Sequence, residues 1–289
     1  MLYTLFTLSL SISDIRYTIG KILLLSSLFQ LTLATVQVFL GHSLQGPLYY
    51  LGERIVSVGR PGVALASFMD HVVLRAYGTF GHPNVLAGWL VIVTLIIYRL
   101  KSKSPIRNLL FVIPALGIFL TQSRSAALAY FGIIIPFYVF KSLRFRALCF
   151  AIIFSLAIGH WSLVIPDRAD LSLTERQDLQ QLSLQVIQKY PLFGTGANAS
   201  ISTYPEIDSS FRLLQPDHNS FTLFLSWFGL IGVSAIIYYY RHYFEFRISH
   251  FGFLMPIFPL LLFDHYLLTS PQGLLILLLY LRVTMNLKP

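Results

Sequence analysis

Residues 166–219 read PDRADLSLTERQDLQQLSLQVIQKYPLFGTGANASISTYPEIDSSFRLLQPDHN, a long polar run in an otherwise apolar chain. The run holds seven of the twelve acidic residues. Within it Leu179, Leu182, Val186 and Tyr190 recur at helical spacing and predict an amphipathic helix over Glu175–Tyr190. Its apolar stripe is expected to pack on top of a bundle or to lie in a membrane interface. Thr174 with Gln177 resembles a capping box, and Glu175 and Asp178 suit the positive end of a helix. Pro191 stops the helix, and Gly194 and Gly196 turn the chain. A run of this kind between apolar spans reads as one large loop outside a membrane. The fold class that follows is all-α: a polytopic bundle of transmembrane helices.

Composition agrees with that reading. Apolar residues make up 55% of the 289 and charged residues 11%, and the mean hydropathy of +0.69 lies outside the soluble range. The net charge of +9 would raise the question of nucleic acid in a soluble chain. Here the basic residues fall in short runs between apolar spans, where a topology signal belongs, so no nucleic-acid partner is expected. The single cysteine, Cys149, excludes both a disulfide framework and a thiolate metal site. Met1 leads into apolar sequence without a basic leader, so no cleavable signal peptide is expected.

Apolar segments at about 1–13, 22–40, 83–98, 108–121, 125–140, 147–165, 220–240, 251–263 and 270–281 predict nine crossings of roughly 30 Å of hydrocarbon. Alternate connections then carry Arg16 with Lys21, Arg99 to Arg107, Lys141 to Arg146, Arg241 with Arg247, and Arg282 with Lys288. These belong on the cytoplasmic side, and the loops at 41–82 and 166–219, which hold most of the acids, belong outside. No repeat, linker or low-complexity tract divides the chain, so residues 1–289 are expected to form a single membrane domain.

Two hairpins are short for their task. Arg107 and Lys141 enclose 33 residues, about 50 Å of helix where two crossings need about 60 Å. The turn at Gln122-Ser123-Arg124 is therefore expected to dip below the outer surface, unless the stretch is one long tilted helix. Asp264-His265, between Arg247 and Arg282, repeats the arrangement. A charge at membrane depth is costly unless it faces protein, water or a ligand.

The outer face thus collects Arg75, Arg124, Arg176, Arg212, His218, Asp264 and His265. Several guanidiniums at a membrane surface suit a phosphate or pyrophosphate, and a histidine can take a proton near neutral pH. Taken singly, Arg75 and Arg212 also suit solvated or headgroup contacts, Arg176 a pair along its helix, His218 a helix cap, and Asp264-His265 a structural pair. Glu206-Ile207-Asp208 is a lone carboxylate pair, and no metal site is expected from it. Gly194-Thr195-Gly196 lacks the lysine of a phosphate-binding P-loop, so no nucleotide site or other cofactor is expected either.

Five motifs in order resemble the O-antigen ligase and polymerase family across about residues 45–280. They are Arg75-Ala76-Tyr77-Gly78-Thr79-Phe80-Gly81-His82-Pro83-Asn84, Thr121-Gln122-Ser123-Arg124-Ser125-Ala126, and Glu175-Arg176 leading to Pro191-Leu192-Phe193-Gly194-Thr195-Gly196. His218-Asn219 leading to Gly229-Leu230-Ile231-Gly232, and Phe263-Asp264-His265-Tyr266, complete the set. The resemblance implies a multi-pass glycosyltransferase of the GT-C type in the cytoplasmic membrane, with its active site on the exoplasmic side. Such an enzyme moves a glycan from undecaprenyl pyrophosphate to a lipid, glycan or protein acceptor, with inversion and without metal or nucleotide. By the same likeness Arg124 and Arg176 hold the pyrophosphate, His218 activates the acceptor hydroxyl and Asp264 supports the site. Arg75, Asn84, Asn219 and His265 are further candidates for contact with the donor or glycan. Trp227 stands where relatives often carry an acidic residue. Ligation to a lipid, polymerisation of repeat units and transfer to a protein stay open as alternatives, as do a transporter of lipid-linked sugars and an inactive family member.

Overall fold

The computed structural model describes residues 12–68, 71–100, 109–136, 166–209, 215–241 and 255–285, with Ser142, Arg144, Leu148 and Ala151. Most of the span expected at 147–165, the basic connections at 101–107 and 242–247, and Arg212 lie outside the described residues. What is described is mostly helical and falls into two compact units, one within 1–66 and 73–121, the other within 67–72 and 122–289.

The first unit starts with α1, Ile12–Leu40, a continuous helix of 29 residues. This corrects the expected turn at Arg16 and Lys21. Both residues lie within the helix, and the Lys21 ammonium sits 4.4 Å from the Tyr17 ring centroid, one turn away. The short helix α2, Pro47–Tyr50, follows, and then a hairpin of β1, Leu65–Phe68, and β2, His71–Leu74, whose residues 67–72 are counted in the second unit. Pro83 opens α3, Pro83–Arg99, as its sequence position predicts, with the His82 ring accepting from the backbone N–H of Asn84. Helix α4 is Leu109–Thr121.

Two glutamines on one face of α1, seven residues apart, hold the turn before α3. Gln37 binds both the N–H and the carbonyl of Gly78, at 2.8 and 2.9 Å. Gln30 accepts from the backbone N–H of Thr79 at 2.9 Å and donates to its hydroxyl at 2.7 Å. Gln37 also donates to the buried Glu53 carboxylate, which takes the backbone N–H groups of Leu44 and Gln45 as well. The backbone polar groups at Leu44, Gln45, Gly78 and Thr79 are thus satisfied where this loop meets the helix.

In the second unit α5, Arg124–Ala127, continues as a π-helical stretch over Leu128–Ile134. Helices α6, Pro166–Lys189, α7, Ser200–Ile207, and α8, Ser220–Tyr240, come next. A 3₁₀ turn at Met255–Ile257 leads into α9, Phe258–Phe263, α10, Tyr266–Thr269, and α11, Pro271–Met285. Helix α6 begins at Pro166, nine residues before the expected start, so Thr174 is interior and not a cap. Residues 167–174 all tolerate a helix, so the chain is already helical where the internal capping pattern falls. The expected apolar stripe is present. Leu179, Leu182 and Val186 are buried against Tyr204 of α7, with Tyr190, Ile201 and Ile207 at the edge.

The Pro-Leu-Phe-Gly-Thr-Gly turn does more than reverse the chain. Gly229 breaks α8 with φ 58° and ψ −176°. An unbroken helix would bond Leu230 N to the carbonyl of Ser226, and Ile231 N to that of Trp227. These amides instead donate to the carbonyls of Pro191 and Leu192, both at 2.9 Å. The freed carbonyls of Ser226 and Trp227 accept from Thr195 N at 3.0 Å and Gly196 N at 2.8 Å. Two helical bonds are exchanged for four across the break. Backbones approach so closely that a Cβ on Gly194 would meet the Trp227 carbonyl at 2.5 Å, and one on Gly229 the Leu192 carbonyl at 2.5 Å.

Tyr17–Leu40 and Ser220–Tyr239 are, among the described residues, the helices long and apolar enough to cross a membrane. Their large apolar side chains, such as Leu25, Ile231 and Ile237, are exposed, the reverse of a soluble helix packed on a core.

Candidate functional site

Asp264 organises the second unit's candidate site. It sits between α9 and α10 in extended backbone, φ −150° and ψ 153°, and is 6% exposed. Its carboxylate Oδ2 accepts from the Ser125 hydroxyl at 3.0 Å, and its backbone carbonyl accepts from the Ser220 hydroxyl at 2.7 Å. Ser125 follows Arg124, and Ser220 lies two residues after His218. One residue thereby ties the segments that carry Arg124 and His218 to the same break. The Arg124 turn itself forms as expected, with Gln122 in the left-handed region at φ 50° and Ser123 before the first residue of α5.

Arg176 reaches from α6 to the end of α9, where Nη1 donates to the Phe263 carbonyl at 3.3 Å. Burial lowers the proton affinity of Arg124, and the neighbouring Arg176 guanidinium lowers it further. Two cations therefore share one partly desolvated region, which favours an anion between or beside them.

His265 is pushed down to about 4, first by burial and then by Arg176. It is neutral at physiological pH. Its Nδ1 pairs with the Thr269 hydroxyl at 2.7 Å, and that hydroxyl also donates to the His265 carbonyl at 3.2 Å. With the single hydroxyl proton so used, Nδ1 carries the imidazole proton and Nε2 is the acceptor. The His218 ring stands edge-on to it, centroids 5.2 Å apart and planes at 74°.

The chain around His218 is held on both sides. Asn219 caps α8, its Oδ1 accepting from Phe221 N at 2.9 Å and Thr222 N at 3.3 Å. Asp217, 1% exposed, accepts from Asn219 N at 3.0 Å and from the Thr222 hydroxyl. Burial pushes its carboxyl up against the opposing pull of those hydrogen bonds. Ser183 of α6 and Tyr204 of α7, whose hydroxyls lie 3.1 Å apart, extend this polar patch.

The second unit thus brings together Arg124, Arg176, His218, Asp264 and His265, and places Asn219 as a cap beside them. The first unit joins Arg75 to Asn84: Nη2 donates to Asn84 Oδ1 at 2.7 Å, while Nε donates to the Thr121 carbonyl at 2.6 Å. Glu206 is taken by Lys189 at 2.9 Å on the surface. No cluster of three potential metal ligands occurs among the described residues. Ser125, Ser220, Thr269 and Asp217 were not singled out by the sequence reading. Their one signal is position, each within four residues of a candidate arginine, aspartate or histidine.

Residues 109–237 match the family model described as O-antigen ligase. This segment is similar to the O-antigen ligase family. The match includes Arg124, Arg176, His218 and Asn219, and it ends before Asp264 and His265. No curated protein matches the chain. The matched segment also contains Trp227, which is 5% exposed and donates from Nε1 to the Ser200 hydroxyl at 3.1 Å. Trp227 there fastens α8 to α7.

Proposed function

We propose that the protein transfers a glycan from undecaprenyl pyrophosphate to an acceptor hydroxyl at the outer face of the cytoplasmic membrane. His218 takes the proton of the acceptor hydroxyl as its oxygen attacks the anomeric carbon. The bond from that carbon to the pyrophosphate oxygen breaks, and the attack from the opposite face inverts the centre. Arg124 and Arg176 stabilise the negative charge that grows on the departing pyrophosphate. Neutral His265 offers an acceptor nitrogen beside His218, and Asp264 holds the segments in register. The chemistry calls for no metal or nucleotide. The carrying observation is the double anchorage of Asp264 on Ser125 and Ser220, which supports placing Arg124 and His218 in one site.

The test is transfer in proteoliposomes from a lipid-pyrophosphate glycan to candidate acceptors, with mass spectrometry of surface glycoconjugates from cells with and without the gene to name the acceptor. His218→Ala should abolish transfer while the protein stays folded and inserted. Retained turnover in that variant would remove the general-base role.

A further inference from the structure

We propose that Asp217 is a positioning residue for His218, acting through a buried network that holds the histidine-bearing turn against α6, the helix that carries Arg176. The inference rests on the transfer reaction above, in which His218 and Arg176 act together. It names the device that keeps the two in register.

Asp217, Ser183, Ser200 and Tyr204 are each no more than 1% exposed. Asp217 Oδ1 accepts from Asn219 N at 3.0 Å and Oδ2 from the Thr222 hydroxyl. The His218 backbone N–H and the Ser183 hydroxyl are further hydrogen-bonding neighbours of the same carboxyl. The Tyr204 hydroxyl, 3.1 Å from that of Ser183, neighbours the Asp217 backbone N–H and the Ser200 hydroxyl. Ser200 in turn accepts from Trp227 Nε1 at 3.1 Å. The network thus starts beside the first turn of α8, passes through α6 and α7, and returns to α8 two turns further on.

Ser183 lies within the apolar stripe of α6, between Leu182 and Val186. A buried hydroxyl is costly unless it is bonded. An apolar stripe alone is satisfied by several small shifts along the helix, whereas bonds of fixed length single out one. Seven residues before Ser183, two turns away on the same face, Arg176 reaches the Phe263 carbonyl. One face of α6 is therefore fixed at two points, one through the arginine and one through the network around His218. Asp217 meets His218 at its backbone and not at its ring. Its loss should therefore slow the chemical step and spare donor binding.

The experiment uses the full chain in proteoliposomes with a glycan on undecaprenyl pyrophosphate as donor. Asp217→Asn keeps the size of the side chain and one oxygen for Asn219 N, but puts an NH2 group where the Thr222 hydroxyl donates. Thr222→Val removes that hydroxyl with little change of shape, and Thr222→Ser restores it. Below each unfolding midpoint, Asp217→Asn and Thr222→Val should lower kcat about ten- to hundredfold with donor KM within about twofold, and Thr222→Ser should keep the parental rate. Parental kcat in Asp217→Asn, or equal losses in both Thr222 variants, overturns the proposal; so does a lower midpoint with kcat unchanged. A parent chain without transfer strikes the reaction itself, and the positioning is then decided separately. Carbethoxylation of His218 by diethyl pyrocarbonate, read by mass spectrometry against the exposed His42, should be several-fold faster in Asp217→Asn and Thr222→Val than in the parent or Thr222→Ser. Equal rates in all four chains overturn it.

Discussion

Replacing Gly229 with alanine tests the helix break directly. At φ 58° and ψ −176° the backbone is in a region open almost solely to glycine, and a side chain there costs about 1–3 kcal/mol. The added Cβ would also stand 2.5 Å from the Leu192 carbonyl carbon and oxygen and from Gly194 N. Relief requires either that the turn retreat or that α8 close into a regular helix. Closing restores two helical bonds and forfeits four, a net loss of two, or about 1–3 kcal/mol at the usual net value of a hydrogen bond. Either route costs about 1–3 kcal/mol. Thermal unfolding in detergent should then fall by about 2–6 °C, scaling from ordinary unfolding entropies. Gly20→Ala is the matched control, because nothing lies within 4 Å of a Cβ there in α1, and it should be neutral or slightly stabilising. A Gly229→Ala midpoint within about 1 °C of the parent would refute the reasoning about strain and exchange.

Further outcomes follow from the same geometry. Arg124→Lys should cut turnover at least tenfold, because an ammonium cannot present the planar fork of a guanidinium to pyrophosphate; unchanged kcat in proteoliposomes would count against it. Ser125→Ala should lower kcat with little change in donor affinity, by releasing Asp264 Oδ2 from the segment that follows Arg124. His265, with a folded value of about 4 against an ordinary 6.5, is buried neutral, so its contribution is complete above pH 6.5 and is lost as the pH falls toward 4. Stability should drop by up to about 3 kcal/mol across that window, and His265→Gln should flatten the profile of unfolding midpoint against pH. EDTA should leave transfer unchanged, whereas strong inhibition restored by a divalent cation would contradict the metal-free mechanism.

Polar interruptions of apolar runs made two features of the site legible in advance. They put a turn at Gln122-Ser123-Arg124 and a break at Asp264-His265, where the structure has them. Pro83 marked the start of α3 in the same way. The apolar stripe of α6 was visible from spacing, but its partner Tyr204 was not, because periodicity names a buried face without naming what covers it. The break at Gly229 was hidden for a related reason. A glycine in an apolar run reads as an ordinary membrane span, and the groups that complete its hydrogen bonds lie more than thirty residues away in sequence. Arg16 and Lys21 misled because charge was read as a boundary, although one helix runs through both positions and the long Lys21 side chain lies beside Tyr17 one turn back.

The two hydrogen bonds at Asp264 differ in how genetics can reach them. Replacing Asp264 with alanine severs the carboxylate arm to Ser125 and leaves the main-chain arm to Ser220 in place. A mutational scan that finds residue 264 tolerant would therefore report on half of the anchorage. The remaining half is open to Ser220→Ala or to ester replacement of the backbone, which weakens the carbonyl as an acceptor without altering any side chain.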